Sequence, residues 1–95
     1  MNTALFPLGQ TVITSAAQAQ LHPDDVKACL DRHANGDWGE VGKDDWRAND
    51  AALQDGGRIL SAYKTLKGAK IWIITEAADD DERREATTVL LPDEY

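Results

Sequence analysis

The chain has 95 residues, of which 42% are hydrophobic, and its 17 acidic and 10 basic side chains give a net charge of −7. This length predicts one domain, and the apolar fraction suffices for a core that needs neither a metal nor a disulfide. An acidic chain lacks the clustered Lys and Arg that bind phosphate backbones, so direct nucleic-acid binding is disfavoured and a partner protein with a basic surface is favoured.

The sequence contains a single cysteine, Cys29, which excludes an intrachain disulfide and favours a reducing compartment. The first residues show neither a basic n-region nor a long apolar segment, and no apolar run approaches the roughly 20 residues that cross a bilayer. We therefore expect a cytoplasmic protein without a membrane anchor.

The first part of the chain predicts a short strand or extended arm over 8–13, followed by three helices. Thr14 or Ser15 can cap the first helix, and Pro23 suits the first position of the second. The second helix ends before Gly36 and the third before a glycine pair. The predicted helices therefore span 15–21, 23–35 and 44–54.

After Gly57 the apolar period changes from that of a helix to that of a strand. Three strands are predicted over 58–63, 70–76 and 87–91. Helices followed by such a meander indicate an α+β fold, with N-terminal helices packed on a three- to four-stranded antiparallel sheet. In the central strand, Ile71, Ile73 and Thr75 point to one face and Trp72, Ile74 and Glu76 to the other. Its apolar centre predicts cover on both faces, which a second copy could supply as a homodimer.

The stretch HANGDWGE at 33–40 has two interpretations. Asp37 and Glu40 could be paired carboxylates for acid–base chemistry. The favoured interpretation is a tight turn in which Asp37 caps backbone amides and Trp38 anchors the core. Cys29 and His33, four residues apart on one helix, could likewise form a metal site or a thiol–imidazole pair. No second Cys/His pair accompanies them, so we expect no metal and no cofactor.

Polar side chains on the central strands define the enzyme alternative, a small toxin-like ribonuclease or hydrolase. The candidate catalytic groups are His33, Asp37, Glu40, Arg58, Tyr63 and Glu76. The run DDDERRE at 79–85 is either a solvated hairpin tip or an acidic finger that engages a basic partner. The candidate binding residues are Trp38, Trp72, Asp79, Asp80, Asp81 and Tyr95.

An ordered set of motifs resembles a family of small bacterial "plasmid-related" proteins carried on plasmids, integrative elements and prophages. The motifs are LGQTV at 8–12, RHANGDWGE at 32–40, GGRILSAY at 56–63, IWIITEA at 71–77 and TTVLLPDEY at 87–95. Some members are labelled subunit M of a type I restriction endonuclease, although this chain has no methyltransferase motif. The resemblance implies an accessory protein of mobile DNA, and the charged joint at 77–86 is longer here than in the family. The leading hypothesis is a non-enzymatic protein-binding module, anti-defence or antitoxin-like.

Overall fold

The computed structural model describes residues 4–95 and confirms the predicted α+β class. In chain order, the elements are β1 (Gln10–Ile13), α1 (Ser15–Gln20), α2 (Pro23–Ala34), α3 (Lys43–Asp55), β2 (Ile59–Lys64), β3 (Lys70–Thr75) and β4 (Ala86–Leu90), followed by a 3-10 turn at Pro92–Glu94. Within these residues, no helix is long and apolar enough to span a membrane.

The helix bounds lie within one residue of those predicted, and three of the helix ends show the expected capping chemistry. The Thr14 hydroxyl accepts the amide of Ala17 at 3.1 Å and so caps α1. Pro23 occupies the first turn of α2. Helix α3 ends at Gly56, whose φ of 82° is the left-handed conformation that glycine adopts without strain.

The sheet has the strand order β1-β4-β3-β2. Strands β2, β3 and β4 form the predicted antiparallel meander, with Ser61 opposite Ile73 and Ile73 opposite Val89. Strand β1, however, joins β4 in parallel, so the sheet is mixed and not antiparallel throughout. The two parallel strands are separated by all the helices and the meander, and no local signal in the sequence sets their relative direction.

The two faces of the sheet are those predicted from side-chain alternation. One face, which we call the inner face, packs on α1 and α2 through a buried cluster: Ala17, Leu21, Cys29, Tyr63, Ile71, Ile73, Val89 and Leu91. The opposite, outer face carries Leu60, Ala62, Trp72, Ile74, Thr88 and Leu90. The C-terminal turn covers part of this outer face, because the ring of Tyr95 lies 5.3 Å from that of Trp72.

Candidate functional site

His33 lies on the inner face and is completely buried. Its Nδ1 is 2.5 Å from the Ser61 hydroxyl of β2, and its Nε2 is 2.8 Å from the Thr75 hydroxyl of β3. Thr75 is in turn 2.7 Å from the hydroxyl of Thr87, which donates to the Leu8 carbonyl at 2.6 Å. A continuous hydrogen-bond chain therefore crosses β2, β3 and β4 beneath α2.

The carbonyl at the end of this chain fixes the donor directions from Thr87 back to His33 Nε2. The Thr87 proton goes to the Leu8 carbonyl, so the Thr75 hydroxyl donates to Thr87 and accepts from His33 Nε2–H. Burial, with the nearby Arg84 charge, lowers the pKa of His33 to about 4, so the imidazole is neutral at pH 7 and its Nδ1 accepts from the Ser61 hydroxyl. Both ring nitrogens are thus engaged in structural bonds.

Cys29 is buried in the inner core. Burial raises the pKa of its thiol, which opposes the thiolate form that a nucleophile or metal ligand requires. Among residues 4–95, no group of three or more His, Cys, Asp or Glu side chains is placed to hold a metal ion.

Asp37 and Trp38 have the structural roles that the tight-turn interpretation predicts. The Asp37 carboxylate accepts Arg32 Nε at 2.7 Å and the Gly39 amide at 3.1 Å. The hydrogen bond from Arg32 is the main reason that the pKa of Asp37 is lowered. Trp38 is fully buried and donates its indole N–H to Asp50 of α3 at 2.9 Å. The indole therefore ties the turn to α3 instead of offering a surface contact.

The same stretch closes the outer edge of β2. The Ala62 amide donates to the Trp38 carbonyl at 3.2 Å, and the Glu40 amide donates to the Ala62 carbonyl at 2.6 Å. One step along the strand, the buried Asn49 side chain bonds both the amide (3.2 Å) and the carbonyl (2.7 Å) of Leu60. The backbone groups that Leu60 and Ala62 direct outward are therefore all paired.

An open groove of 590 Å³ lies between α3 and the outer face of the sheet, and we call it the outer-face groove. Its lining includes Glu40, Asp45, Asn49, Arg58, Leu60, Ala62, Lys70, Trp72 and Tyr95. Arg58 donates to the Tyr95 hydroxyl at 2.6 Å and lies over its ring, 5.7 Å from the centroid. The groove therefore combines an aromatic surface with exposed groups of both charges.

Only part of the predicted catalytic set converges in this groove. Glu40, Arg58 and Tyr63 contribute to its lining, whereas His33 and Asp37 do not. Tyr63 is buried, and its hydroxyl donates to the Asp37 carbonyl at 2.7 Å. Burial raises the pKa of Tyr63, which opposes its use as a proton donor.

Glu76 also lies outside the groove, exposed just beyond the end of β3. Of the residues that the enzyme alternative requires, Glu40 and Arg58 are therefore the two whose exposed side chains reach one concave surface. Two side chains of opposite charge do not by themselves supply a nucleophile or a proton relay.

The charged run at 79–85 has an exposed tip and one buried residue, Arg84. The Asp79 carboxylate accepts the amides of Asp81 and Arg83, both at 2.9 Å, while Asp80 and Asp81 are exposed. Arg84 is only 6% exposed. The tip is thus a solvated turn, as its composition predicts, but the run also contains a core residue.

Arg84 is the structural residue that sequence reasoning missed. Its guanidinium donates to the carbonyls of Gly57 (2.7 Å), Glu76 (3.0 Å) and Ala52 (3.0 Å), and it lies over the Phe6 ring. A cation is favoured at the Ala52 carbonyl because the C-terminal end of a helix carries partial negative charge. No signal within the run distinguishes Arg84 from its exposed neighbour Arg83.

Comparison of this chain with protein-family models, with curated proteins and with solved structures gave no match.

Proposed function

We propose that this chain is a non-enzymatic binding module that holds a basic segment of a partner protein in the outer-face groove. The observation that carries the proposal is the pairing of free carboxylates with an aromatic surface. Within residues 4–95, the exposed carboxylates of Glu40 and Asp45 form no hydrogen bond or ion pair, and Trp72 and Tyr95 line the same groove. An arginine or lysine side chain can stack on the indole while it pairs with a carboxylate.

The distribution of charge along the groove supports a basic residue at its centre. The Glu40 amide donates to the carbonyl of Ala62, which is directly opposite Trp72, so the backbone of Glu40 is at the level of Trp72 in the sheet. Arg58 precedes β2, and Lys70 stands opposite Lys64 at the other end of that strand. Positive charge therefore lies at the two ends and negative charge in the middle, a pattern that selects where a basic residue binds.

The structural roles of the candidate catalytic residues also favour binding over catalysis. His33, Asp37 and Tyr63 would each have to break a structural hydrogen bond before reaching a substrate. A ribonuclease would in addition have to attract a polyanion to a chain of net charge −7.

The cellular setting is proposed from the resemblance to proteins of plasmids, integrative elements and prophages. In that setting, the partner is a basic protein of the bacterial cytoplasm, and the module has an anti-defence or antitoxin-like role. Net negative charge would accelerate the encounter with such a partner at low ionic strength.

The test is capture of a partner from extracts of the native host, followed by calorimetry with that purified partner. The double variant Glu40→Lys/Asp45→Lys reverses the groove carboxylates and should weaken binding by at least about tenfold. The matched control Asp80→Lys/Asp81→Lys changes the net charge equally at the hairpin tip and should stay within about threefold of the wild-type affinity.

Two outcomes would contradict the proposal. If the tip variant loses affinity while the groove variant keeps it, the charged run is the binding site. If the wild-type protein captures no specific partner, the function as a binding module is refuted.

A further inference from the structure

The two edges of the sheet differ in how their backbone groups are satisfied. At the β2 edge, the outward groups of Leu60 and Ala62 are all hydrogen-bonded. At the β1 edge, the Gln10 amide donates to the carbonyl of Glu85, just before β4, and the Thr14 amide donates to the carbonyl of Val89 in β4, at 3.0 Å each. Residues 10, 12 and 14 therefore face β4, and the alternation of a strand turns the N–H and C=O of residues 11 and 13 outward.

Within residues 4–95, these outward N–H and C=O groups of Thr11 and Ile13 have no hydrogen-bond partner. Edge strands are commonly protected against pairing by a very short length, lysine, proline or a bulge. Strand β1, with the sequence QTVI, has four residues but no lysine, proline or bulge, and its pairing with β4 is regular. The Val12 side chain on the outer face is 41% exposed.

The β1 edge also lies in the uncharged part of an otherwise acidic chain. Residues 4–21 include no Asp, Glu, Lys, Arg or His, although the whole chain has a net charge of −7. Strand β1 and helix α1 both fall within this stretch. Strand β1 therefore adds no like charge of its own to a contact between two copies, although the Glu94 carboxylate accepts the Thr14 hydroxyl at 2.7 Å just beyond its end.

We propose that β1 pairs with β1 of a second copy, so that the four strands of each copy form one continuous sheet. A two-fold axis perpendicular to the sheet makes the two strands antiparallel and keeps the outer faces on the same side. Because Thr11 and Ile13 hold the outward groups, Thr11 of one copy exchanges both hydrogen bonds with Ile13 of the other. Val12 then stands directly opposite Val12 of the second copy, in the closely spaced non-hydrogen-bonded position.

This register is self-complementary, which favours a second copy over an unrelated strand. The contact is small, comprising main-chain bonds over two residues of each strand and a valine pair, so we expect a dimer with a dissociation constant in the micromolar range. The outer-face groove lies at β2 and β3, towards the edge of the sheet opposite to β1. Dimer formation and partner binding are therefore separable.

The test uses the direct opposition of the two Val12 side chains. Analytical ultracentrifugation of the full chain, from about 1 to about 500 µM, should show a concentration-dependent dimer. The variants Val12→Lys and Val12→Glu each place like charges across the axis and should weaken the dimer roughly tenfold or more. An equimolar mixture of the two variants should restore it, because opposite charges then face each other.

Leu66→Lys is the matched control, since Leu66 is fully exposed at the tip of the β2–β3 hairpin. It makes the same apolar-to-lysine change away from β1 and should leave the dimer intact. Circular dichroism establishes that each variant is folded. A wild-type chain that stays monomeric throughout the range overturns the proposal, as does a Val12→Lys chain that dimerises like the wild type.

Discussion

Acidification from pH 7 to pH 5 should destabilise the protein by about 2 kcal/mol through His33 alone. In the folded chain, burial lowers the pKa of His33 from 6.5 to about 4. Between these values, the unfolded chain binds a proton that the folded chain does not. The contribution is therefore fully present above pH 6.5 and is lost as the pH falls towards 4. The complete loss is about 3 kcal/mol, because each pKa unit corresponds to about 1.4 kcal/mol.

The main physical reason for this loss is burial, because a charged imidazole would lose its hydration in the inner core. Protonation would also bring a second cation into the field of the buried Arg84 guanidinium. In addition, a protonated imidazole donates from both nitrogens, so the Ser61 hydroxyl would have to turn from donor to acceptor at Nδ1.

The assay is urea unfolding of the wild type and of His33→Gln at pH 7, 6 and 5, followed by circular dichroism. The variant should be less stable at pH 7 but should lack the loss of about 2 kcal/mol on acidification. His22→Gln removes the other histidine, retains the buried imidazole, and should keep most of the wild-type loss. Equal losses of stability in the wild type and in His33→Gln would refute this account of the buried His33 side chain.

Three further substitutions test the structural roles assigned above by thermal or urea unfolding. Gly39→Ala should destabilise the fold by at least about 3 kcal/mol, because φ is positive at Gly39 and the added methyl would overlap the Ala62 carbonyl oxygen. An unchanged melting temperature would contradict this close approach. Arg84→Met should lower the free energy of unfolding by about 3 kcal/mol, because buried carbonyls lose a charged donor. The control Arg83→Met should change it by less than about 0.5 kcal/mol. Equal effects of the two substitutions would refute the assignment of Arg84 as a core residue. Trp38→Phe should lower the free energy of unfolding by about 2 kcal/mol, because the indole hydrogen bond and part of the side-chain volume are lost. It should leave the affinity for the partner unchanged. Weaker binding by the folded variant would argue against a purely structural role for Trp38.

The parts of the fold that local chemistry determines could be predicted from the sequence. The Thr14 cap, Pro23 and the glycine after α3 position the helices. The alternation of apolar residues in β3 predicts both faces of the sheet correctly. Each of these signals lies within a few residues of the structure that it determines.

The features that escaped prediction depend on contacts between distant segments. The partner strand of β1 begins at Ala86, so its parallel direction has no local signal. His33 has hydroxyl partners on two different strands, and a single helix does not reveal them. Arg84 is buried because the end of α3 arrives beside it, although the surrounding run has the composition of a solvated turn.

Several residues of the candidate site were predicted individually, but their arrangement in one groove was not. Arg58, Trp72 and Tyr95 were each identified as candidates, and all three line the outer-face groove. Asp45 is not among the predicted candidates, since the approach of α3 to the sheet is a tertiary contact. The backbone of HANGDWGE pairs with an edge of the sheet, and its exposed Glu40 contributes to the groove.

The most direct measurement of the proposed function is the indole N–H region of the NMR spectrum during titration with the captured partner. The chain has three tryptophans, of which Trp72 lines the outer-face groove and Trp38 is fully buried. Binding in the groove predicts that the Trp72 signal shifts progressively to saturation while the Trp38 signal stays in place. Saturation of the partner's binding with an unmoved Trp72 signal would contradict the groove as the binding site.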